Sequence, residues 1–232
     1  MRRTVAALTS VALVLTTLGF SASAGAKTAT PAYPTVVVIG DSVTARYNNT
    51  PGDPLRGWWS WLAGRGKVTI VRKAQSGSGV MNPGYVGFKR CAGNTYGSRT
   101  ASLAAVSPRP RAVVVEGGRN DLVTCSKKVR SPADAQDAWR RYYRGLRAEA
   151  LKIGLATKDV YVFSPWGDAS HARAPKWRAM QKAAAERYGL TWIETRLLTL
   201  DEAPDGVHPD ADGSLALYRL IALRSDLDTR FR

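Results

Sequence analysis

Short β-branched runs alternating with longer amphipathic stretches predict an α/β fold, a parallel sheet covered by helices on both faces. The strand-like runs Thr35-Val36-Val37-Val38-Ile39 and Arg111-Ala112-Val113-Val114-Val115-Glu116 lack the polar alternation of a half-exposed strand. Both of their faces are therefore expected to be buried. Stretches of helical periodicity with legible ends separate the strands, so right-handed crossovers connect them. In such sheets ligands bind beyond the carboxyl ends of the strands.

Thr35–Ile39 is the first strand and Val68 to Arg72 a weaker second. Trp58, Trp59 and Trp61 fall in a short helical stretch between them, two expected in the core and one facing the cleft. Arg111–Glu116 is the third strand, Asp159-Val160-Tyr161-Val162-Phe163 the fourth, and Thr191-Trp192-Ile193 a short fifth. Ser131 is an N-cap with Pro132 at the first helical position. Trp139, Tyr142, Tyr143, Leu146 and Ala150 then recur at helical spacing to Ile153, and Gly154 ends the helix. That aromatic stripe reads as core. Pro175 opens a helix that runs to Tyr188 and stops at Gly189. The last helix, about Asp212 to Leu223, carries Leu215, Leu217, Leu220 and Ile221. No repeat or internal linker interrupts the series, so residues 35–232 are expected to form one domain.

Composition sets the compartment and excludes some chemistry. The 232 residues include 34 Lys+Arg against 18 Asp+Glu, a formal net charge of +16, with 44% hydrophobic and 22% charged residues. That balance belongs to a globular chain, and its apolar runs are too short for a multi-pass membrane protein. Two histidines and two cysteines exclude most zinc sites. Met1-Arg2-Arg3, an apolar run from Val5 to Phe20 and the small residues Ser21 to Ala26 read as a signal peptide over 1–26. Cleavage is expected after Ala24 or Ala26, with residues 27–34 as a leader before the fold. Export favours a disulfide, and Cys91 with Cys125 is the simplest pairing. The rival reading, a cysteine nucleophile, has no histidine nearby in the sequence.

Polar and small groups gather at the expected strand ends. Gly40-Asp41-Ser42-Val43-Thr44 follows the first strand and Gln75-Ser76-Gly77-Ser78-Gly79 the second. Gly117-Gly118-Arg119-Asn120-Asp121 follows the third, and Asp205-Gly206-Val207-His208-Pro209-Asp210 precedes the last helix. These are parts for acyl transfer. Ser42 at a tight turn can expose its hydroxyl, and a histidine held by a carboxylate can take the proton. Asp205 and His208, three residues apart, supply both. The Ser42 and Gly77 N–H groups and the Asn120 amide are candidate donors to an oxyanion. Gly79 is an alternative to Gly77 on spacing. Asp41 and Asp121 are expected to hold loop backbones.

The four segments, in this order, resemble the SGNH/GDSL hydrolase family. The resemblance runs from about Val36 to Leu223. It implies a flavodoxin-like three-layer α/β/α sandwich with a five-stranded parallel sheet. It makes Ser42 the nucleophile, His208 the base and Asp205 its orienting acid, with Ser42, Gly77 and Asn120 as the oxyanion hole. Valine after Ser42 replaces a commoner leucine, and Arg119 fills a position that is often small. Asp168-Ala169-Ser170-His171 repeats the DxxH spacing, so spacing alone leaves either histidine as base. The place of His208 before the last helix matches the family and leaves His171 at the cleft rim. His171, Arg119 and Trp166, just past the fourth strand, are the candidate substrate contacts.

The implied activity is a secreted serine esterase for small acyl esters, including acetyl esters of carbohydrate, with no metal or organic cofactor. A lipase, thioesterase or acyltransferase on the same triad is the nearest alternative. The GxSxG elbow of α/β-hydrolases is absent from the sequence. A basic module binding an anionic cell-envelope polymer is the non-enzymatic alternative. The scattered cations show no nucleic-acid-reading motif. An acidic wall polymer is the expected electrostatic partner, and a monomer the expected state.

Overall fold

The computed structural model describes residues 33–167 and 172–231. The expected signal peptide, most of the leader, and Asp168 to His171 lie outside the described residues. In chain order the elements are β1 (Thr35–Gly40), α1 (Ser42–Ala45), α2 (Trp58–Gly66), β2 (Thr69–Ala74) and α3 (Tyr96–Thr100). They continue with β3 (Ala112–Glu116), α4 (Pro132–Lys152), β4 (Val160–Phe163), β5 (Trp166–Gly167) and α5 (Ala174–Arg187). The chain ends with β6 (Thr191–Trp192), β7 (Leu197–Leu198) and α6 (Ala211–Arg224).

Five strands form one parallel sheet in the order β2-β1-β3-β4-β6. Every residue of β1, β3 and β4 is buried, which explains why those runs show no alternation. Their side chains divide between two cores. Val37, Ile39, Val113, Val115 and Val162 pack with Trp139, Tyr143 and Leu146 of α4 and Trp177 of α5. Val36, Val38, Val114, Tyr161 and Phe163 pack on the opposite face with Trp58 and Leu62 of α2 and Leu217 and Ile221 of α6. This is the three-layer sandwich, with α3, α4 and α5 on one side and α2 and α6 on the other. Strand β2 lies at the sheet edge and is only half-buried, which accounts for its weak pattern.

The caps behave as their residue types dictate. The Ser131 hydroxyl accepts from Asp134 N–H at 3.1 Å, and Pro132 starts α4, where its missing N–H costs nothing. Asp210 caps α6 by accepting from Gly213 N–H at 2.8 Å.

Two features depart from the expectation. A second, two-stranded sheet pairs β5 with β7. That pairing draws Trp166 inward, so the expected pocket wall is instead 1% exposed and part of the α4–α5 core. Its indole N–H donates to Ser164 Oγ at 2.8 Å. Of the three early tryptophans, Trp58 and Trp59 are buried, while half-buried Trp61 lies under the Arg56 guanidinium, 3.4 Å from the ring centroid.

A Cys91–Cys125 disulfide, with Cα atoms 5.9 Å apart, joins the loop after β2 to the loop after β3. Closing 34 residues of chain contributes about 3–4 kcal/mol on the loop-entropy model. Among the described residues no helix is long and apolar enough to cross a membrane.

Candidate active site

From β1 the chain reaches β2 on one side and later β3 on the other, so the sheet has its switch point between β1 and β3. Side chains beyond the carboxyl ends there face a crevice rather than a packed crossover. Ser42 follows β1 and Asn120 follows β3, which puts both at that point.

The turn after β1 is held from below. Asp41 caps α1, its Oδ1 accepting from Val43 N–H at 2.9 Å, and this leaves Ser42 as the first helical residue. Buried Glu116, the last residue of β3, accepts at Oε2 from Asp41 N–H at 3.3 Å and from the Thr44 hydroxyl at 2.8 Å. A Cβ on Gly40 would come within 2.6 Å of that same oxygen, so only glycine lets the turn close over the carboxyl. Ser42 is 8% exposed, and its N–H donates to no group among the described residues.

The segment before α6 comes to meet it. Asp205 Oδ1 accepts from Val207 N–H at 2.9 Å and His208 N–H at 2.6 Å, folding the chain back on the carboxylate. Its Oδ2 is 2.6 Å from His208 Nδ1, and His208 Nε2 is 2.9 Å from Ser42 Oγ. The Tyr47 hydroxyl, donating to Pro209 carbonyl at 2.5 Å, ties the chain just after α1 to this loop. One carboxylate thus shapes the loop and orients the ring. The tautomer with a proton on Nδ1 leaves Nε2 free to accept from the serine hydroxyl.

The electrostatics follow from these contacts. Partial burial would raise Asp205, but donation from the His208 and Val207 N–H groups and the His208 ring outweighs it and holds the carboxyl at about 2. Burial lowers His208 below its ordinary value; Asp205 opposes that, while the Arg46 and Arg119 cations add to it. Behind the serine the order reverses. Burial raises Asp41 to about 6, and burial with the Asp41 charge pushes Glu116 well above the usual carboxylate range.

The three expected oxyanion donors stand differently. Gly77 has φ +71° and its N–H is unclaimed among the described residues; the Tyr85 ring packs against it. Gly79, its alternative, spends its N–H on Asn82 carbonyl at 2.8 Å and lies against Asp121. The Asn120 amide donates to Asp41 Oδ2 at 3.0 Å and to Ser78 carbonyl at 2.9 Å. Asn120 therefore bridges the neighbours of Ser42 and Gly77, with both amide protons engaged. Asp121 accepts from Val80 and Met81 N–H and from the Trp139 indole, the loop-holding role its position suggested.

Arg119 donates from Nη1 to Gly206 carbonyl at 2.8 Å, which joins the segment after β3 to the histidine loop. His171 lies outside the described residues. Two arginines went unremarked in the sequence. Arg99 donates to Ser78 Oγ at 2.7 Å and Gly40 carbonyl at 3.3 Å, pinning the ends of β1 and β2 together. Arg46 Nη1 lies 2.9 Å from His208 Nδ1. Its distance of four residues from Ser42 is a signal the sequence did offer, since i and i+4 share a helix face. Glu116, a charge ending an otherwise apolar strand, was legible in the same way.

Among the described residues no three His, Cys, Asp or Glu side chains stand close enough to hold a metal ion. Among the described residues, concavities of about 290–390 Å³ are lined by other residues, such as Arg178 with Trp192 and Gly97 with Tyr142.

Residues 38–216 match the model of the GDSL-like Lipase/Acylhydrolase family. An inhibitor-bound aryl esterase of M. smegmatis shares the fold at 16% identity and TM-score 0.56, over 83% of this chain and 100% of that one. TesA does so at 19% identity and TM-score 0.53, over 82% and 97%. A family two carbohydrate esterase from Clostridium thermocellum, in complex with cellohexaose, does so at 18% identity and TM-score 0.54, over 84% and 63%. No curated protein matches the chain.

Proposed function

Because the chain belongs to the GDSL-like lipase/acylhydrolase family, we propose that it is an exported serine esterase that hydrolyses small acyl esters. Ser42 is the nucleophile, His208 the general base and Asp205 the carboxylate that orients it. The observation that carries this reading is the relay of 2.9 Å from Ser42 Oγ to His208 Nε2 and 2.6 Å from Nδ1 to Asp205.

In the reaction, Ser42 Oγ attacks the ester carbonyl as its proton passes to His208 Nε2. The tetrahedral oxyanion collapses, and the leaving alkoxide takes that proton to depart as the alcohol. Water, deprotonated by the same nitrogen, then attacks the acyl carbonyl, and the proton passes from Nε2 to Ser42 Oγ as the carboxylic acid departs. The Ser42 and Gly77 N–H groups accept the oxyanion. Asn120 joins them by giving up its bond to Ser78 or Asp41, a loss that the oxyanion's stronger acceptor character offsets. Every proton in these steps moves between side chains, substrate and water, so the reading includes no cofactor.

Acetyl esters of carbohydrate are the substrate class carried forward, since a carbohydrate esterase shares the fold. The Cys91–Cys125 bridge supports export, because disulfides persist outside the reducing cytosol. The excess of Lys and Arg, +16 in the full chain and +14 once Arg2 and Arg3 leave with the signal peptide, supports residence near an anionic envelope polymer.

An acyl-chain series of p-nitrophenyl esters tests the reading. The acetate is expected to be the best substrate, Ser42→Ala is expected to lose about 10⁴-fold or more in turnover, and a serine-reactive phosphonate should label Ser42. Hydrolysis surviving in Ser42→Ala would sink the assignment.

A further inference from the structure

Arg46 is placed where the catalytic cycle leaves it without a partner. Among the described residues its guanidinium makes one hydrogen-bond contact, to His208 Nδ1 at 2.9 Å, and no carboxylate lies within ion-pair distance of it. For Nε2 to accept from Ser42, Nδ1 must carry the proton and give it to Asp205 at 2.6 Å. In that tautomer Nδ1 has no lone pair for Arg46, and two donors face each other. An exposed arginine with its donors aimed at a proton-bearing nitrogen has room for an acceptor from solution.

Arg119 brings a second cation to the same ring. It stands between Gly118 and Asn120, and Nη1 donates to Gly206 carbonyl in the histidine loop. Both arginines depress the basicity of His208. Two like charges beside a ring that must become an imidazolium oppose catalysis, unless the substrate brings an anion that neutralises them. The side of that anion follows from the reaction. His208 Nε2 protonates the leaving oxygen, so the alcohol portion departs past the imidazole; Arg46 stands at the other end of that ring, against Nδ1, so the anion it meets is one carried away from the scissile oxygen.

We propose that the site is built for esters of an anionic alcohol, with Arg46 as the specificity residue that pairs with a carboxylate or phosphate on the leaving group. The inference rests on the esterase reading above. A bound anion draws Arg46 off Nδ1, leaves that proton wholly to Asp205 and relieves the repulsion as the imidazolium forms. The benefit therefore falls on kcat as well as KM.

Two acetate esters with one acyl group separate the possibilities: 4-acetoxybenzoate, which carries a carboxylate, and its neutral amide, 4-acetoxybenzamide. The wild type at low salt is expected to favour the benzoate by about tenfold or more in kcat/KM, about 1.4 kcal/mol, and the preference should shrink as salt rises. Arg46→Gln should bring the ratio near one, and Arg46→Lys should keep part of it. The acid limb of the amide's pH profile should move upward in Arg46→Gln, because one cation beside His208 is gone while Asp205 and Arg119 remain. Arg147→Gln, an exposed change on α4, removes the same net charge and should leave the ratio intact.

Cleavage of both esters with no preference overturns the inference and leaves the esterase reading standing. Cleavage of neither overturns the esterase reading itself. A preference lost equally in Arg147→Gln assigns it to net charge and defeats the role of Arg46. A preference seen only for an acyl-side anion, mono(4-nitrophenyl) succinate over its methyl ester, defeats the leaving-group assignment.

Discussion

Two aspartates flank Ser42, one acting through His208 and the other next to it in the chain, and the protein treats them in opposite ways. The Asp205 side chain is 53% exposed, accepts two backbone N–H groups at Oδ1 and meets the imidazole at Oδ2. Asp41 is 3% exposed and lies beside Glu116, which is 0% exposed. Directed donors near water pull Asp205 down to about 2, while burial lifts Asp41 to about 6 despite the Val43 N–H and Glu116 bonds. A carboxylate near water keeps its charge at little desolvation cost, so it can support a transient imidazolium. A carboxyl sealed against another keeps its charge only at a desolvation cost, and this pair serves as an anchor for the turn that carries Ser42.

That contrast can be broken, and the largest effect lies on the exposed side. Asp205→Asn keeps the Oδ1 acceptor that shapes the loop but turns a donor toward Nδ1, which enforces the wrong tautomer. Turnover on p-nitrophenyl acetate is expected to fall about 10⁴-fold, with only a small drop in melting temperature from losing a half-exposed charge. A loss below tenfold would deny Asp205 its role. On the buried side the order inverts, with stability more exposed to damage than chemistry. Asp121→Ala strands the Val80 and Met81 N–H groups and the Trp139 indole, and urea unfolding should register a loss of about 3 kcal/mol. A variant as stable as wild type would show that the loop does not depend on this acceptor.

The smallest effect is a pH dependence, and its sign differs between the two aspartates. The raised value of Asp41 means the folded state holds its proton more tightly than the unfolded chain between about 3.8 and about 6. Its contribution to stability is fully present below that window and lost as pH rises through it. Asp205 behaves oppositely, contributing above its ordinary value of 3.8 and losing that contribution as pH falls towards about 2. Asp41→Asn should therefore gain on wild type as pH rises from 4 to 7, when urea midpoints are compared at the two values. A difference that stays constant across that range would remove the buried-anchor reading.

The layered sheet was legible because a buried strand and a capped helix leave local signatures: unbroken valines, Ser131-Pro132, a glycine after the last apolar position. The extra β5–β7 pairing was not, since two-residue strands carry no period, and that missed pairing is why Trp166 was expected at a pocket rather than in the core. The Cys91–Cys125 pairing was legible through counting alone.

At the site, the sequence by itself determined the inventory: a serine after β1, glycines after β2, Asn120 after β3, and an aspartate three residues before a histidine. These lie near each other in the sequence or next to recognisable elements, so residue type and spacing suffice. The tertiary structure alone decided which groups are spent and which are free. It commits both amide protons of Asn120, spends the Gly79 N–H while leaving that of Gly77 unclaimed among the described residues, seals Glu116 beneath Ser42 and sets Arg46 against the His208 ring. Those facts depend on distances between segments up to 166 residues apart and on how much water each group keeps. Hydrogen-bond competition and desolvation are properties of the packed site, and no residue carries them alone.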